Sequence, residues 1–358
     1  ATTVVVALAV VLLAHDPWSS TPSASTGGVG ASPRATSAAG APAGTASIAD
    51  RTDPGLVDVE VGGAGNGAVA AGTGMVVRSS GLVVTANHVI EGASAITVTD
   101  VGNGRTYRAA VAGYDRSRDV AVLRLRGASG LRTVRLGRAP GPTVGLGVVV
   151  VGGAGRAGGT PRYAGGAVTA TGQAIPADRG SAPRAGWPSG LVATDVHVVP
   201  GDSGGAVVAA DGDVVGMTDV TGADQIGAAG ARGYAVPAVV VRSVVDAVLS
   251  GIAPPSVHLG PTAGLGAVAR SAVLAMPAVG PIPGARITSL VAGGPGAAAG
   301  LETGDLITSV GGHAVTSAES LATSLLSFSP ASTVLVGYVD ASGLLQSVPV
   351  QLRPGPPQ

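Results

Sequence analysis

Residues 201–205 read Gly-Asp-Ser-Gly-Gly, and a serine set among glycines is a candidate nucleophile. A serine hydroxyl attacks poorly until a neighbouring base takes its proton. It also needs donors aimed at the oxyanion that forms, and backbone N–H groups reach that place best where glycine lets the chain turn sharply. Glycines lie on both sides of Ser203, although a plain turn in a glycine-rich chain would read the same way. The base has to be a histidine, and the chain has five: His15, His88, His197, His258 and His313. His88 closes the apolar run LVVTANHVI at 82–90, where burying an imidazole is costly unless it has a partner. Asp119 stands immediately before the apolar run VAVLRL at 120–125 and offers the carboxylate that would orient such a base. His88, Asp119 and Ser203 follow one another along the chain, each at the end of a strand-like run. Together they point to acyl transfer by an activated serine.

The elements that must position these residues are mostly short. From about 56 to 249 the sequence alternates β-type runs with glycine-rich turns, at 74–77, 82–85, 96–99, 120–125, 148–151 and 214–217. Many short strands at this spacing predict an all-β barrel or sandwich. Helical periodicity is clear only at 237–251, where Val241, Val244, Val245, Val248 and Leu249 share a face between a leading proline and a trailing glycine. Residues 252–257 (IAPPSV) form a linker to a second unit of mixed strands and helices, with strands predicted at 285–291, 306–310, 333–339 and 344–352. Its longer helix opens with Thr316 and Glu319 at capping-box spacing and carries Leu321, Leu325 and Leu326 on one face.

The N-terminal region reads differently. Residues 1–14 are uncharged and almost wholly apolar, but at about 1.5 Å per residue they span about 21 Å, less than a bilayer core of about 30 Å. Either a membrane anchor or a signal-peptide core accounts for them, and both readings put the rest outside the cytoplasm. Residues 19–47 are Ser, Thr, Pro, Ala or Gly except for Val29 and Arg34, a composition too poor in apolar side chains to order itself. A flexible tether is the expectation.

Composition narrows the function classes. All 21 basic residues are arginine and are balanced by 21 acidic ones, so the net charge is zero and nucleic acid is not an expected partner. With no cysteine, a disulfide scaffold, a thiolate metal site and a cysteine nucleophile are all excluded. There is no H-E-x-x-H, no histidine pair at ligand spacing and no acidic calcium loop, so neither metal nor cofactor is expected.

Three segments, VVTANHVIEGA (83–93), YDRSRDVAVLRL (114–125) and TDVHVVPGDSGGAVV (194–208), closely resemble the triad motifs of the HtrA (Deg) family of serine proteases. The segment GYAVP at 233–237 is similar to a substrate-pocket wall of that family, and residues 285–315 resemble a PDZ core. The resemblance implies a mainly β protein. A chymotrypsin-like double β-barrel protease domain (56–251) would be followed by a small α+β PDZ domain (258–353), with an apolar segment (1–14) and a flexible linker (15–55) before them and a tail (354–358) after. It further implies an exported serine endopeptidase acting on polypeptide substrates, tethered to the membrane by its N-terminal segment or secreted, and a homotrimer. Ser203 would be the nucleophile, His88 the general base and then acid, and Asp119 the orienting group, with the Gly201 and Ser203 N–H groups as oxyanion hole. His197, Arg232 and Tyr234 would belong to the substrate pocket. The PDZ unit would bind a peptide or C-terminus between the strand at 285–290 and the helix around 317–327, its carboxylate held by a loop at Ile282, Pro283, Gly284 and Ala285. A catalytically idle peptide-binding module on the same fold is the alternative.

Two departures from the family pattern stand out. Asp202 replaces the usual asparagine before the nucleophile, so either it is solvated or an arginine (Arg179, Arg184 or Arg232) pairs with it. His197 replaces a small residue, which leaves a choice between a pocket for acidic or polar side chains and an outward-facing histidine beside a small apolar pocket. Residues 171–190 are expected to be either a loop at the active-site rim or an insertion.

Overall fold

In the computed structural model the described residues are 45–62, 68–138, 141–153, 160–174, 189–219, 233–276 and 280–357. The apolar segment 1–14, most of the tether, the loop residues 175–188 and all three of Arg179, Arg184 and Arg232 lie outside them.

The last part of the expected linker is helical. Helix α1 (Thr45–Thr52) lays Ile48 and Thr52 against the core, so the folded unit begins earlier than residue 56. Strands β1 (Leu56–Gly62), β2 (Ala68–Arg78), β3 (Leu82–Thr85), β4 (Ala95–Asp100), β5 (Thr106–Asp115) and β6 (Val120–Leu125) then pair antiparallel in the order β5-β4-β1-β2-β3-β6, and β5 also pairs with β6 to close the ring. A short helix α2 (Asn87–Ile90) follows β3. The second barrel comprises β7 (Gly147–Gly152), β8 (Arg162–Ala174), β9 (Ser189–Thr194), β10 (Ala206–Ala209), β11 (Val214–Asp219) and β12 (Gly233–Pro237), closed in the order β10-β11-β12-β9-β8-β7.

Valine alternation explains how the barrels pack without large aromatics. In β7, Val148 and Val150 join one buried cluster with Val168, Val192 and Val207, whereas Val149 and Val151 join the larger core that also holds Leu56, Met75 and Leu123. Successive side chains on a strand point to opposite faces, so a strand buried on both sides reads as an unbroken apolar run. Helix α3 (Ala238–Ser250) closes the domain with Val241, Val244 and Val245 buried, and Gly251 ends it in the left-handed conformation.

After residue 251 the chain does not pass directly into a separate unit. Strand β13 (Val257–Leu259) pairs with Asp115–Gly113 of β5, so His258 belongs to the first-barrel sheet rather than to the second unit. That unit holds β14 (Thr262–Gly264), β15 (Ala267–Met276), β16 (Gly280–Leu290), β17 (Leu306–Val310), β18 (His313–Ala314), β19 (Thr333–Val339), β20 (Leu345–Gln351) and β21 (Arg353–Gly355), with helices α4 (Pro295–Ala298) and α5 (Ala318–Leu325). Its main sheet runs β15-β16-β17-β19-β20, and Ile287, Ile307, Leu321, Leu325 and Val336 fill its core. Helix α5 is capped reciprocally by Ser317 and Ser320, one position on from the expected Thr316 and Glu319. The expected tail is partly a strand: β21 pairs with β14, and the Pro357 carbonyl accepts the Gly92 N–H at 2.9 Å.

Two expectations for this unit are overturned. Ile282, Pro283, Gly284 and Ala285 do not form a loop; they lie within β16, in register with Leu274, Val273, Ala272 and Ser271 of β15. A residue whose neighbours are fixed in a ladder cannot present a nest of free N–H groups to a carboxylate. Nor is β16 a groove strand, because it pairs with β15 on one side and β17 on the other. The edge strand beside α5 is β15, whose Ser271 Oγ accepts the Ala318 N–H at 3.0 Å.

Candidate active site

Each of the three residues singled out for acyl transfer is placed by a local turn. His88 lies on α2 rather than at the end of a strand, one helical turn after β3. Its backbone N–H donates to Asp119 Oδ1 at 2.8 Å and its Nδ1 lies 2.6 Å from Asp119 Oδ2. One carboxylate therefore fixes both the main chain and the ring of the histidine. Asp119 itself sits at φ +54°, a conformation that non-glycine residues adopt rarely and at a cost. Aspartate tolerates it better than most, and the twist sends the side chain back across the start of β6 toward α2.

Ser203 closes the group: its Oγ lies 2.9 Å from His88 Nε2. The serine arrives from the second barrel and the histidine and aspartate from the first, so the site straddles the junction. Thr73 of β2 holds that junction, donating its N–H to the Ser203 carbonyl at 2.9 Å and its hydroxyl to the Gly201 carbonyl at 2.8 Å. Gly204 makes the approach feasible. It has φ +82°, and a Cβ there would lie 2.1 Å from the Thr73 carbonyl. Among the described residues neither the Gly201 nor the Ser203 N–H is engaged by a backbone acceptor outside the regular elements.

The electrostatics act mainly on His88. Burial draws its pKa down, but the hydrogen bond and charge of Asp119, with further help from the charges of Asp219 and Glu91, outweigh burial and hold it above the ordinary histidine value. Asp219, at the end of β11, is buried, and it was not picked out in the sequence. His88, Asp119 and Asp219 each bring a ligand-type atom within 4.8 Å of the others, the one grouping of this kind among the described residues. The Nδ1 of its histidine is already engaged by Asp119.

Of the predicted pocket residues, Arg232 lies outside the described residues. His197 is exposed, and among the described residues its imidazole makes no hydrogen bond. Tyr234 is buried in β12, paired with Asp219 and packed into the main core. Asp202 is fully buried and hydrogen-bonded, not solvated, and its partner is Arg162 of β8 rather than any of the loop arginines suggested by the sequence.

Against known proteins, residues 72–217 match the model of a trypsin-like peptidase domain and residues 286–336 that of a PDZ domain. Serine protease PepD of Mycobacterium tuberculosis is 30% identical over 268 residues, covering 72% of this chain and 53% of that protein. The chain thus combines a trypsin-like peptidase domain with one PDZ domain, and proteins named HtrA and DegP-like are among its relatives. A probable periplasmic serine endoprotease, DegP-like, of Buchnera aphidicola is 26% identical over 75% of this chain and 53% of its own length. The chain thus spans about half the length of these relatives. The crystal structure of the serine endoprotease from Yersinia pestis covers 87% of this chain and 98% of its own at 22% identity and a TM-score of 0.49. Among the described residues no helix is long and apolar enough to cross a membrane.

Proposed function

We propose that this chain is an HtrA-family serine endopeptidase that hydrolyses peptide bonds of extracytoplasmic proteins through an acyl-enzyme. The observation that carries the reading is the continuous contact from Asp119 Oδ2 to His88 Nδ1 and from His88 Nε2 to Ser203 Oγ, at 2.6 and 2.9 Å. In this reading Ser203 attacks the substrate carbonyl as His88 takes its proton, and Asp119 holds the ring in the tautomer that leaves Nε2 free to accept. The N–H groups of Gly201 and Ser203 receive the oxyanion, a contribution on the order of 3 kcal/mol per donor in comparable sites. His88 then returns the proton to the leaving amine, and water repeats the sequence to release the acyl group.

A PDZ unit captures an extended peptide by adding it to a sheet edge, which favours β15 beside α5 as the receiving strand. Export is supported by the apolar residues 1–14 and by the periplasmic names of the relatives; the same residues would serve as a membrane tether. Trimeric assembly and a role in clearing misfolded or regulatory proteins complete the proposal.

Labelling by a fluorophosphonate probe tests the core of it. Wild-type protein should be labelled and should digest unfolded casein, and Ser203→Ala should lose both. A wild type that takes no label would leave a peptide-binding module instead, whereas a labelled protein that digests no polypeptide would be a serine hydrolase of another substrate class.

A further inference from the structure

A carboxylate with no exposed surface is costly to hold unless another charge meets it. Asp202, next to Ser203, is such a group. It is met by Arg162, the first residue of β8 and 40 positions earlier in the chain. The Arg162 Nη2 donates to Asp202 Oδ2 and also, at 2.9 Å, to the carbonyl of His197. The same Oδ2 accepts the Val199 N–H at 2.9 Å, while the Asp202 N–H donates to the Val199 carbonyl at 3.0 Å. The guanidinium thereby holds residues 197 and 202 of one turn directly, and residue 199 through the Asp202 carboxylate. Behind the carboxylate stands Gly152 of β7, the cross-strand partner of Arg162. A Cβ at Gly152 would lie 2.9 Å from Asp202 Cα and 3.0 Å from its Oδ1, so the backbone itself forms the back wall.

We propose that Arg162 is a positioning residue whose charge fixes the turn at 197–203 and, through it, the two N–H groups that receive the oxyanion. Arg162 touches no reacting atom. Its side chain is 36% exposed against 1% for that of Asp202, so deleting the cation leaves a buried anion without its charge partner. The turn has to open to hydrate that anion, and opening it swings the Gly201 and Ser203 N–H groups away from a common point. An uncharged residue at 202 removes the need for the cation altogether. The inference rests on the protease reading for its consequence, though not for its geometry.

Wild type, Arg162→Met, Asp202→Asn and the double variant are compared by casein digestion kinetics and by amide hydrogen exchange over residues 197–205. Arg162→Met should lower kcat about 100-fold while KM moves by no more than about threefold, the pattern of a lost transition-state contact. Exchange should quicken over 197–205 and nowhere else. Adding Asp202→Asn should return about tenfold or more of the lost kcat and restore the protection, which a merely stabilising role for Arg162 would not bring about. An Arg162→Met protein with kcat near that of wild type overturns the proposal, as does a double variant no better than Arg162→Met. Should Arg162→Met fail to fold, a folded and active double variant supports the lock and an unfolded one overturns it. A wild type that digests nothing defeats the protease reading instead, and the exchange pattern then decides the lock alone.

Discussion

His88 faces three carboxylates, those of Asp119, Asp219 and Glu91, and their charges work against burial to keep its pKa above the ordinary value. A general base must be neutral to accept the serine proton, so a raised pKa moves the acidic limb of kcat/KM upward. Asp119 cannot be altered without losing the orientation of the ring, but Asp219 acts on His88 through its charge. Asp219→Asn should therefore move the acidic limb to lower pH. A pH profile of casein digestion checks this, and a limb that stays or moves upward contradicts it. Asp219 shows why part of the site was hidden in the sequence. His88, Asp119 and Ser203 were legible because each abuts an apolar run or lies in a glycine-rich turn, both of which are local signals. Asp219 and Arg162 merely end or begin strands, like many surface charges, and their significance comes from partners far away in the chain.

Strands were legible where valine, isoleucine and leucine run together, as at β3 and β6, whose predicted bounds match those observed. Pairing was not. Residues 282–285, with Pro283 and Gly284 at their centre, read as a loop, yet β16 continues through them beside β15, because long antiparallel partners can hold residues of low strand propensity. A polar residue inside a run is likewise ambiguous until its surroundings are known. Asp58 of β1 is buried, with its Oδ1 lacking a hydrogen-bond partner among the described residues. Burial, aided by the charge of Glu60 two positions on, pushes its pKa from 3.8 up to about 7. Between those values the folded chain keeps a proton that the unfolded chain has released. This group's contribution to stability is therefore greatest below about pH 4 and falls as pH rises through 7. Asp58→Asn removes the penalty, so its thermal midpoint should exceed that of wild type by more at pH 8 than at pH 4.5. An equal or smaller gain at pH 8 would mean that Asp58 is hydrated in solution.

At the scale of the molecule, the proline-rich 252–257 segment reads as a linker between domains, yet its last residue opens a strand of the first-barrel sheet. Three residues, Val257–Leu259, become a strand only because β5 offers them an edge, which no local pattern encodes. The consequence is that the first barrel is not complete at residue 251. Tyr114 of β5, among the largest fully buried side chains, lies against the His258 ring at a centroid distance of 5.1 Å, and its hydroxyl meets Thr262 Oγ1 at 2.8 Å. A chain cut after 251 uncovers this aromatic surface and leaves the β5 edge unpaired, whereas a cut after 262 keeps strand, ring contact and hydroxyl partner together. Aromatic burial of this kind is worth on the order of 2 kcal/mol, and a few degrees of midpoint accompany each kcal/mol in a domain this size. Thermal unfolding of the two truncated proteins should therefore place the shorter at least about 5 °C below the longer. Equal midpoints would show that β13 and its neighbours serve only to join the PDZ unit. A lower midpoint for the shorter chain would make the junction part of the protease fold, so that strain applied to the PDZ unit reaches β5, β6 and Asp119 through paired strands.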